Sequence, residues 1–279
     1  MSVTAGLALA GVSAFAAATS HAFVKAGEDK LAVKVWGALL CAALSLPVAL
    51  WAGNLPLNLW LMLAGFALLS FINHLSVVWS YEVSDFSHAY PVARGIVPLA
   101  MAILGVFYLG DTLTIPAILG ILLITFGILA LALGRGMSRH GWGAAAFTGL
   151  TTIIYSLVAA QGMRETNDVI AFLAWLFVTD GILLPIYMAL RFRKDSWPRL
   201  RSAWPMGWQS GVLTLISFAT WSYAVRLAPV GIVSAIRESS VLIALVLAAL
   251  MLKERLDQWR VAAGVLIVAG ATAIILGAR

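Results

Sequence analysis

Long apolar runs separated by short polar connections fill most of the chain. A helix needs about 20 apolar residues to cross the hydrocarbon core of a bilayer. Ten stretches reach that length: 3–24, 31–52, 57–79, 86–109, 113–134, 143–163, 169–190, 205–226, 229–252 and 257–277. The longest polar connection, 191–203, is too short for a soluble domain. The pattern therefore predicts an all-α membrane protein with ten transmembrane helices.

The composition supports this class and excludes others. Hydrophobic residues make up 62% of the 279 residues and charged residues only 11%, whereas a soluble domain has about 25% charged residues. An ordinary soluble enzyme, a disordered chain and a fibrous protein are therefore excluded. The single cysteine, Cys41, excludes a disulfide within the chain and a cysteine-based metal site. We expect no metal and no cofactor.

The distribution of basic residues predicts an orientation. They collect in loops after odd-numbered predicted helices: Lys25, Lys30, Lys34, Arg135, Arg139, the cluster 191–201, Lys253, Arg255 and Arg260. Loops after even-numbered helices and the tail carry only Arg164, Arg226 and Arg279. The positive-inside rule then places the odd loops in the cytoplasm and both termini outside. The same bias explains the net charge of +6 without a nucleic-acid partner, and we expect a multi-pass protein of a bacterial-type inner membrane.

The two halves of the chain resemble each other. Trp-Ser-Tyr occurs at 79–81 and at 221–223. At an offset of 143 residues, Arg94 matches Arg237, Asp111 matches Glu254, Gly127 matches Gly270 and Gly134 matches Gly277. We predict two five-helix repeats, 1–136 and 137–279. Because five is odd, the second repeat enters the membrane inverted, which is typical of secondary transporters whose substrate site lies near the midplane between the halves.

Four stretches resemble the EamA branch of the drug/metabolite transporter superfamily. They are 89–99 (Ala-Tyr-Pro-Val-Ala-Arg-Gly-Ile-Val-Pro-Leu), 109–113 (Leu-Gly-Asp-Thr-Leu), 235–242 (Ala-Ile-Arg-Glu-Ser-Ser-Val-Leu) and 252–256 (Leu-Lys-Glu-Arg-Leu). Asp111 and Thr112 depart from the Glu and Arg that are commoner in that turn. The resemblance implies a proton-coupled or exchange-type carrier of small metabolites without a cofactor. Some members with a similar Tyr-Pro-x-Ala-Arg-Gly segment are associated with phosphonate utilisation.

Four charged residues in the predicted spans stand out because they do not belong to loop ends: Arg94, Asp180, Arg237 and Glu238. A charge at the bilayer centre costs about 2.5–3.5 kcal/mol on insertion scales, so such residues are functional candidates. Arg94 and Arg237 are related by the repeat, and two guanidinium groups facing one cavity would bind a carboxylate, phosphate or phosphonate. The alternative is that each arginine is neutralised by a protein carboxylate and only joins helices.

The two acids have two possible roles. Glu238 could pair with Arg94 or carry a coupling proton, and Asp180 could pair with an arginine or carry that proton. Apolar surroundings favour the protonated form of a carboxyl group, which suits a proton carrier. If both acids are ionised and paired with the two arginines, the cavity is neutral and an anionic substrate is less well supported.

Further polar and aromatic residues are candidates for the cavity wall. The substrate-binding candidates are Asn73, His74, Tyr90, Tyr155, Ser239, Ser240, Trp79 and Trp221. His74 could instead join helices by a hydrogen bond, and the interfacial aromatic belt is our preferred interpretation of Trp79 and Trp221, with Tyr81 and Tyr223. Pro91, Gly95 and Pro98 surround Arg94 and predict a bent helix 4 with a gating role.

These features predict a secondary active transporter that moves a small anionic or zwitterionic metabolite by alternating access, with protons as the candidate coupling ion. Its expected partners are the substrate and the lipid bilayer, and it is expected to be a monomer or a homodimer. A lipid or lipid-phosphate flippase of the same fold is the alternative. A membrane-embedded enzyme is less well supported, because the sequence offers no cluster of acids, histidines and a nucleophile.

Overall fold

The computed structural model describes residues 3–132, 138–251 and 258–277, and its regular structure in these ranges is helical. The helices are α1 Val3–Ala26, α2 Lys30–Ala52, α3 Leu57–Val83, α4 Phe86–Gly95, α5 Val97–Leu109, α6 Ile115–Ala132, α7 Arg139–Glu165, α8 Val169–Phe192, α9 Ser196–Leu227, α10 Val230–Glu238, α11 Ser240–Met251 and α12 Gln258–Gly277. A 3-10 turn, Arg193–Asp195, joins α8 to α9. The all-α prediction is confirmed.

Seven helical stretches are long and apolar enough to cross a membrane. They are Val3–Ala26, Lys30–Ala52, Leu57–Val83, Phe86–Leu109, Arg139–Glu165, Val169–Leu227 and Val230–Leu247. The stretch Val169–Leu227 contains two of the predicted spans, and two shorter apolar helices occur at Ile115–Leu131 and Val261–Gly277. The chain can therefore cross a bilayer several times, while the number ten stays a prediction.

Several helices continue beyond the apolar run that predicted them. The expected loop 191–203 is instead the end of α8, the 3-10 turn and the start of α9, which begins at Ser196 rather than at 205. Helix α7 begins at Arg139 rather than at 143, because the Ser138 hydroxyl accepts a hydrogen bond from the backbone N–H of Gly141 and caps the helix. Hydropathy marks the part of a helix that lies in lipid, whereas caps decide where the helix begins.

The second helix of each half begins in the same way. Asp29 caps α2 by accepting the backbone N–H of Ala32 at 3.0 Å, and Asp168 caps α8 by accepting the N–H of Ala171 at 2.9 Å. A carboxylate at this position satisfies a backbone donor that the first helical turn leaves unpaired. The repeat is therefore visible in local structure as well as in sequence.

Most of the helix pairs that join the halves are kept when the halves are exchanged. Helix α1 packs against α9, and its counterpart α7 packs against α3. Helix α2 contacts α9 as α8 contacts α3, while α2 contacts α8 and α6 contacts α12, which are pairs of equivalent helices. A twofold axis relating the two halves produces this pattern.

The crossing of α6 and α12 follows the same symmetry. A Cβ added to Gly120 would lie 2.7 Å from the carbonyl oxygen of Gly270, and one added to Gly270 would lie 2.6 Å from that of Gly120. A Cβ on Gly127 would meet the carbonyl oxygen of Ala263 at 3.0 Å. The 143-residue offset relates Gly127 to Gly270 and Gly120 to Ala263. Small residues thus allow the two last helices to touch along their backbones.

Both halves contain a broken fourth helix. Helix α4 ends at Gly95 and α5 begins at Val97, while α10 ends at Glu238 and α11 begins at Ser240. The intervening residues, Ile96 and Ser239, are related by the 143-residue offset. The predicted bend in helix 4 is present, but a continuous helix over 229–252 was wrong. No proline marks the second break; instead the Ser239 hydroxyl donates to the carbonyl of Ile236 at 2.6 Å, which loosens the helical ladder.

Candidate functional site

A cavity lies between the two halves. It contains about 600 Å³ of space unfilled by protein atoms, including the part open to solvent. Helices α1, α2, α3 and α4 from the first half and α7, α8, α9 and α10 from the second contribute to its wall. Its ionisable lining residues are His21, Lys34, His74, Arg94, Asp180 and Arg237, together with the Tyr155 phenol. Two predicted arginines and one predicted acid therefore face one space.

Arg94 is held by protein partners on two sides. Its Nη1 donates to Oε1 of Glu238 at 3.1 Å, and its Nη2 lies 3.1 Å from Nε2 of His21. The guanidinium also lies over the ring of Tyr90, 5.4 Å from its centroid. Arg94 and Glu238 are both buried. Of the alternatives that the sequence left open, the structure thus shows the ion pair between Arg94 and Glu238.

Arg237 has a different environment. Its guanidinium lies 5.4 Å from the centroid of the Trp221 ring, and Trp221 is fully buried. In the part of the chain that the structure describes, no carboxylate pairs with Arg237, and its buried Nε has no hydrogen-bond partner. Its side chain nonetheless lines the cavity. The two equivalent arginines therefore differ in their partners: Arg94 pairs with a carboxylate and, within the described residues, Arg237 does not.

A single substitution between the repeats explains the difference. The 143-residue offset places Gly95 opposite Glu238. A Cβ on Gly95 would lie 2.8 Å from a methyl group of Leu129, so a larger side chain there would require the Leu129 side chain to move. The pair of fourth helices therefore carries two arginines but one acid.

Asp180 pairs with His74 and not with an arginine. Oδ2 of Asp180 lies 3.2 Å from Nε2 of His74, and the Ser70 hydroxyl lies 3.4 Å from the same nitrogen. The contact joins α8 to α3. His74 therefore joins two helices by a hydrogen bond, which was the alternative considered for it. Oδ1 of Asp180 and Nδ1 of His74 are buried and have no partner among the described residues.

Lys34 requires a correction to the sequence interpretation. It was counted among the basic residues of a cytoplasmic loop, but it lies in the second turn of α2 and lines the cavity. Its position inside the predicted span 31–52 was the available signal. With Lys34, Arg94 and Arg237 charged, Asp180 ionised, both histidines neutral and Arg94 balanced by ionised Glu238, the cavity together with this ion pair has a formal charge of +1. The cavity is therefore not neutral, as it would be if two acids paired with two arginines.

Other polar candidates mainly join helices. The Asn73 amide donates to the carbonyl of Thr148 and to the hydroxyls of Thr151 and Thr152 at 2.9–3.2 Å, which fixes α3 against α7. The hydroxyls of Tyr90 and Ser240 lie 3.0 Å apart and connect α4 to α11. Asn73 lines the cavity, but Tyr90, Ser240 and Ser239 are not among its lining residues.

The aromatic candidates separate into two groups. Trp79 is partly exposed and meets the edge of His140, with 5.3 Å between ring centroids, and its place in the aromatic belt stays a prediction. Trp221 and Tyr81 are buried in the core, so a lipid-interface position was wrong for both. Tyr155 lines the cavity as predicted and stacks with Phe218 at 6.1 Å.

His21 and an aromatic wall were missed from the sequence. The Nδ1 of His21 lies 2.8 Å from the Tyr81 hydroxyl, while its Nε2 faces Arg94. The ring centroid of Phe66 lies 5.7 Å from those of Tyr155 and Phe218, and the three rings form an aromatic wall. A histidine in an alanine-rich helix was a visible signal, whereas phenylalanines in an apolar chain carry none.

Asp111 is not among the lining residues of the cavity and belongs to a second polar network. Its Oδ1 pairs with Nη1 of Arg164 at 2.7 Å, and its Oδ2 accepts the backbone N–H of Val230 at 2.7 Å. The turn acid of the first half thus caps helix α10 of the second. Its repeat partner Glu254 lies outside the described residues, as do Gly134, Arg135, Lys253 and Arg255.

The site offers little for a metal ion. Within residues 3–132, 138–251 and 258–277, no three side chains of histidine, cysteine, aspartate or glutamate come together as a metal site. The chemistry of the cavity wall is that of hydrogen bonding, guanidinium and imidazole groups beside aromatic rings. Such a wall can bind an organic ion.

The fold and the cavity between its halves are those of a membrane transporter. A model of the EamA-like transporter family matches residues 4–133 and again residues 141–276, so the chain belongs to that family and contains two copies of its characteristic unit. No curated protein matches the sequence. One solved structure, described only as a crystal structure of a protein, superposes with a TM-score of 0.75 at 19% identity over 99% of this chain and 98% of that chain. At that identity the likeness concerns the fold alone.

Proposed function

We propose that the protein is a secondary active transporter that binds a small anionic or zwitterionic metabolite in the cavity between its halves. The substrate would carry a carboxylate, phosphate or phosphonate group. One observation carries the proposal: Arg237 faces the cavity, is buried, and has no acidic partner in the described part of the chain.

The energetic argument concerns the cost of burying that charge. An isolated ion in a protein interior is strongly unfavourable unless it is paired and hydrogen-bonded. The ring of Trp221 offsets part of this cost through its electron-rich face. It accepts no hydrogen bond from Nε of Arg237, so that buried donor has no acceptor among the described residues. An oxyanion supplies both the missing charge and the missing acceptors.

Arg94 has a different role in this proposal. Its guanidinium is neutralised by Glu238 and oriented by His21, so it joins the two halves at the cavity wall. The substrate would bind mainly to Arg237 and would make only a minor contact with Arg94. The anion site is thus built on Arg237, with Arg94 as a fixed part of its frame.

The symmetry supports alternating access. Exchange of the two halves keeps most of the helix pairs that join them, and each half has a broken helix beside its arginine. With ten spans the repeats are inverted, so exchange of their conformations would open the cavity to the other side of the membrane. Pro91, Gly95 and Pro98 would then act at the moving joint of the first half, and Ser239 at that of the second.

Uptake by reconstituted protein tests the proposal. The wild type, Arg237→Gln and Arg201→Gln are compared in proteoliposomes with acetate, benzenesulfonate, methylphosphonate and inorganic phosphate. Arg201 is an exposed arginine in α9 and controls for loss of one positive charge. We expect uptake of at least one anion to fall at least tenfold in Arg237→Gln and to be unchanged in Arg201→Gln. Equal uptake by all three proteins would refute an anion site at Arg237, and movement of labelled lipid instead would favour a flippase.

A further inference from the structure

A second ionisable cluster lies on the cavity wall away from α4 and α10. His74 and Ser70 belong to α3, Asp180 belongs to α8, and Lys34 belongs to α2. The ring of His74 contacts Oδ2 of Asp180 and the Ser70 hydroxyl through the same nitrogen, Nε2. The cavity therefore contains an arginine cluster and a separate imidazole–carboxylate pair.

The pair has two vacant acceptor atoms. A hydrogen bond between Nε2 of His74 and the Asp180 carboxylate requires a hydrogen on Nε2, so the neutral ring has its lone pair on Nδ1. That Nδ1 and Oδ1 of Asp180 are both buried, and neither has a partner among the described residues. A buried acceptor without a donor is unfavourable. The lone pair on Nδ1 is used by no other group among the described residues, so Nδ1 is the atom of the pair that can take up a proton.

Other ionisable groups also surround the cavity. They are Lys34 and Cys41 on α2, His21 on α1, Tyr155 on α7, Arg94 on α4, and Arg237 and Glu238 on α10. Both nitrogens of His21 are engaged, by Tyr81 and by Arg94. Glu238 is held by a guanidinium, which keeps its charge at any physiological pH. Imidazole, in contrast, ordinarily changes charge between pH 5 and pH 8.

We propose that the pair of His74 and Asp180 is the coupling-proton site of the transporter, with Nδ1 of His74 as the atom that takes the proton. This inference rests on the proposed function. A proton from the aqueous phase forms an N–H bond at Nδ1 and converts a neutral imidazole beside a carboxylate into an imidazolium–carboxylate pair. The formal charge of the cavity then rises from +1 to +2, and Asp180 is neutralised by its own partner.

Proton and anion would therefore bind cooperatively. They occupy different walls of one cavity and carry opposite charges, so each raises the affinity for the other by the same factor. One added charge within the same low-dielectric cavity tightens anion binding by on the order of tenfold or more. Anion transport would then be accompanied by a proton, and an inward proton gradient would accumulate the anion.

Anion binding at two pH values tests this. The full-length protein in detergent is titrated with benzenesulfonate and methanesulfonate, which stay fully ionised, at pH 5.5 and pH 8.0. We expect the wild type to bind at least one of them on the order of tenfold more tightly at pH 5.5. His74→Gln keeps a donor for Asp180 but takes up no proton, so it should bind weakly at both values. Asp180→Asn removes the negative charge permanently and should bind tightly at both.

Two further variants separate this site from its neighbours. His21→Gln and Glu238→Gln should keep the ratio of affinities between the two pH values, whatever they do to the absolute affinity. A ratio that persists in His74→Gln, or that disappears in His21→Gln or Glu238→Gln, would overturn the assignment. Binding that depends on Arg237 but is equal at both pH values would overturn this inference and leave the proposed function standing. Absence of any Arg237-dependent binding would overturn both.

Discussion

Arg94 donates a hydrogen bond to Glu238 across the interface between the two halves, with 3.1 Å between Nη1 and Oε1. The equivalent arginine of the second half, Arg237, has no such partner in the described part of the chain. The two arginines thus occupy equivalent positions in the fold but differ in whether an acid neutralises them. One arginine stabilises the assembly of the halves, and the other is open to the cavity.

The ion pair should contribute to stability. Removing one partner of a buried pair leaves an uncompensated charge and costs about 3–5 kcal/mol. We therefore expect Glu238→Ala to unfold at a clearly lower temperature in detergent than the wild type, whereas Glu82→Ala, at an exposed position, should be nearly neutral. The double variant Arg94→Gln, Glu238→Gln should be more stable than the single variant Glu238→Ala, in which Arg94 keeps its charge but has lost its partner. A single variant as stable as the wild type would contradict a structural role for the pair.

The crossing of α6 and α12 should tolerate no added methyl group. A Cβ at Gly120 or Gly270 would lie within 2.7 Å of a backbone carbonyl oxygen of the opposite helix, which cannot move away alone. Gly120→Ala and Gly270→Ala should each lower the unfolding temperature, because overpacking costs about 1–3 kcal/mol. Gly65→Ala is the matched control in α3, since nothing lies within 4 Å of its added Cβ. Its expected effect is neutral or slightly stabilising, and a loss at Gly65 equal to that at Gly120 would refute the close crossing.

The network at Asp111 should hold the end of α5 to α10. Its carboxylate pairs with Arg164 and accepts the N–H of Val230. Asp111→Ala removes both contacts and should cost about 1–3 kcal/mol, because a buried donor and a guanidinium lose their acceptor. Asp85→Ala is the control, since Asp85 precedes α4 without a side-chain cap hydrogen bond. Thermal unfolding should separate the two variants, and equal midpoints would show that the network contributes little.

Local pattern predicted much of this fold. Runs of apolar residues located helices because lipid and packed helices both require them, and the recurrence of Trp-Ser-Tyr and of Arg94 at Arg237 revealed two halves. The break at Ser239 escaped prediction because it depends on a hydroxyl hydrogen bond and not on proline or glycine. The predicted start of α9, at residue 205, was too late, because the polar residues from Ser196 onward form helix as readily as apolar ones.

The candidate site was predictable only in its charges. Arg94, Arg237, Glu238 and Asp180 stood out because charge is rare in an apolar span. Which of them pair depends on contacts between helices far apart in sequence, such as that of Asp180 with His74. Lys34 was assigned to a loop because it lies near the beginning of its helix, and only the packing of α2 shows that it faces the cavity.

The most direct measurement compares anion binding by Arg237→Gln with binding by the double variant Arg94→Gln, Glu238→Gln. The double variant removes both charges of the ion pair together and leaves the formal charge of the cavity unchanged. If Arg237 supplies the anion site, the double variant should still bind an anion of the panel within about tenfold of the wild type, and Arg237→Gln should lose more than that, since a charge-assisted hydrogen bond contributes about 1.5–3 kcal/mol. Binding that is retained in Arg237→Gln and lost in the double variant would contradict the account.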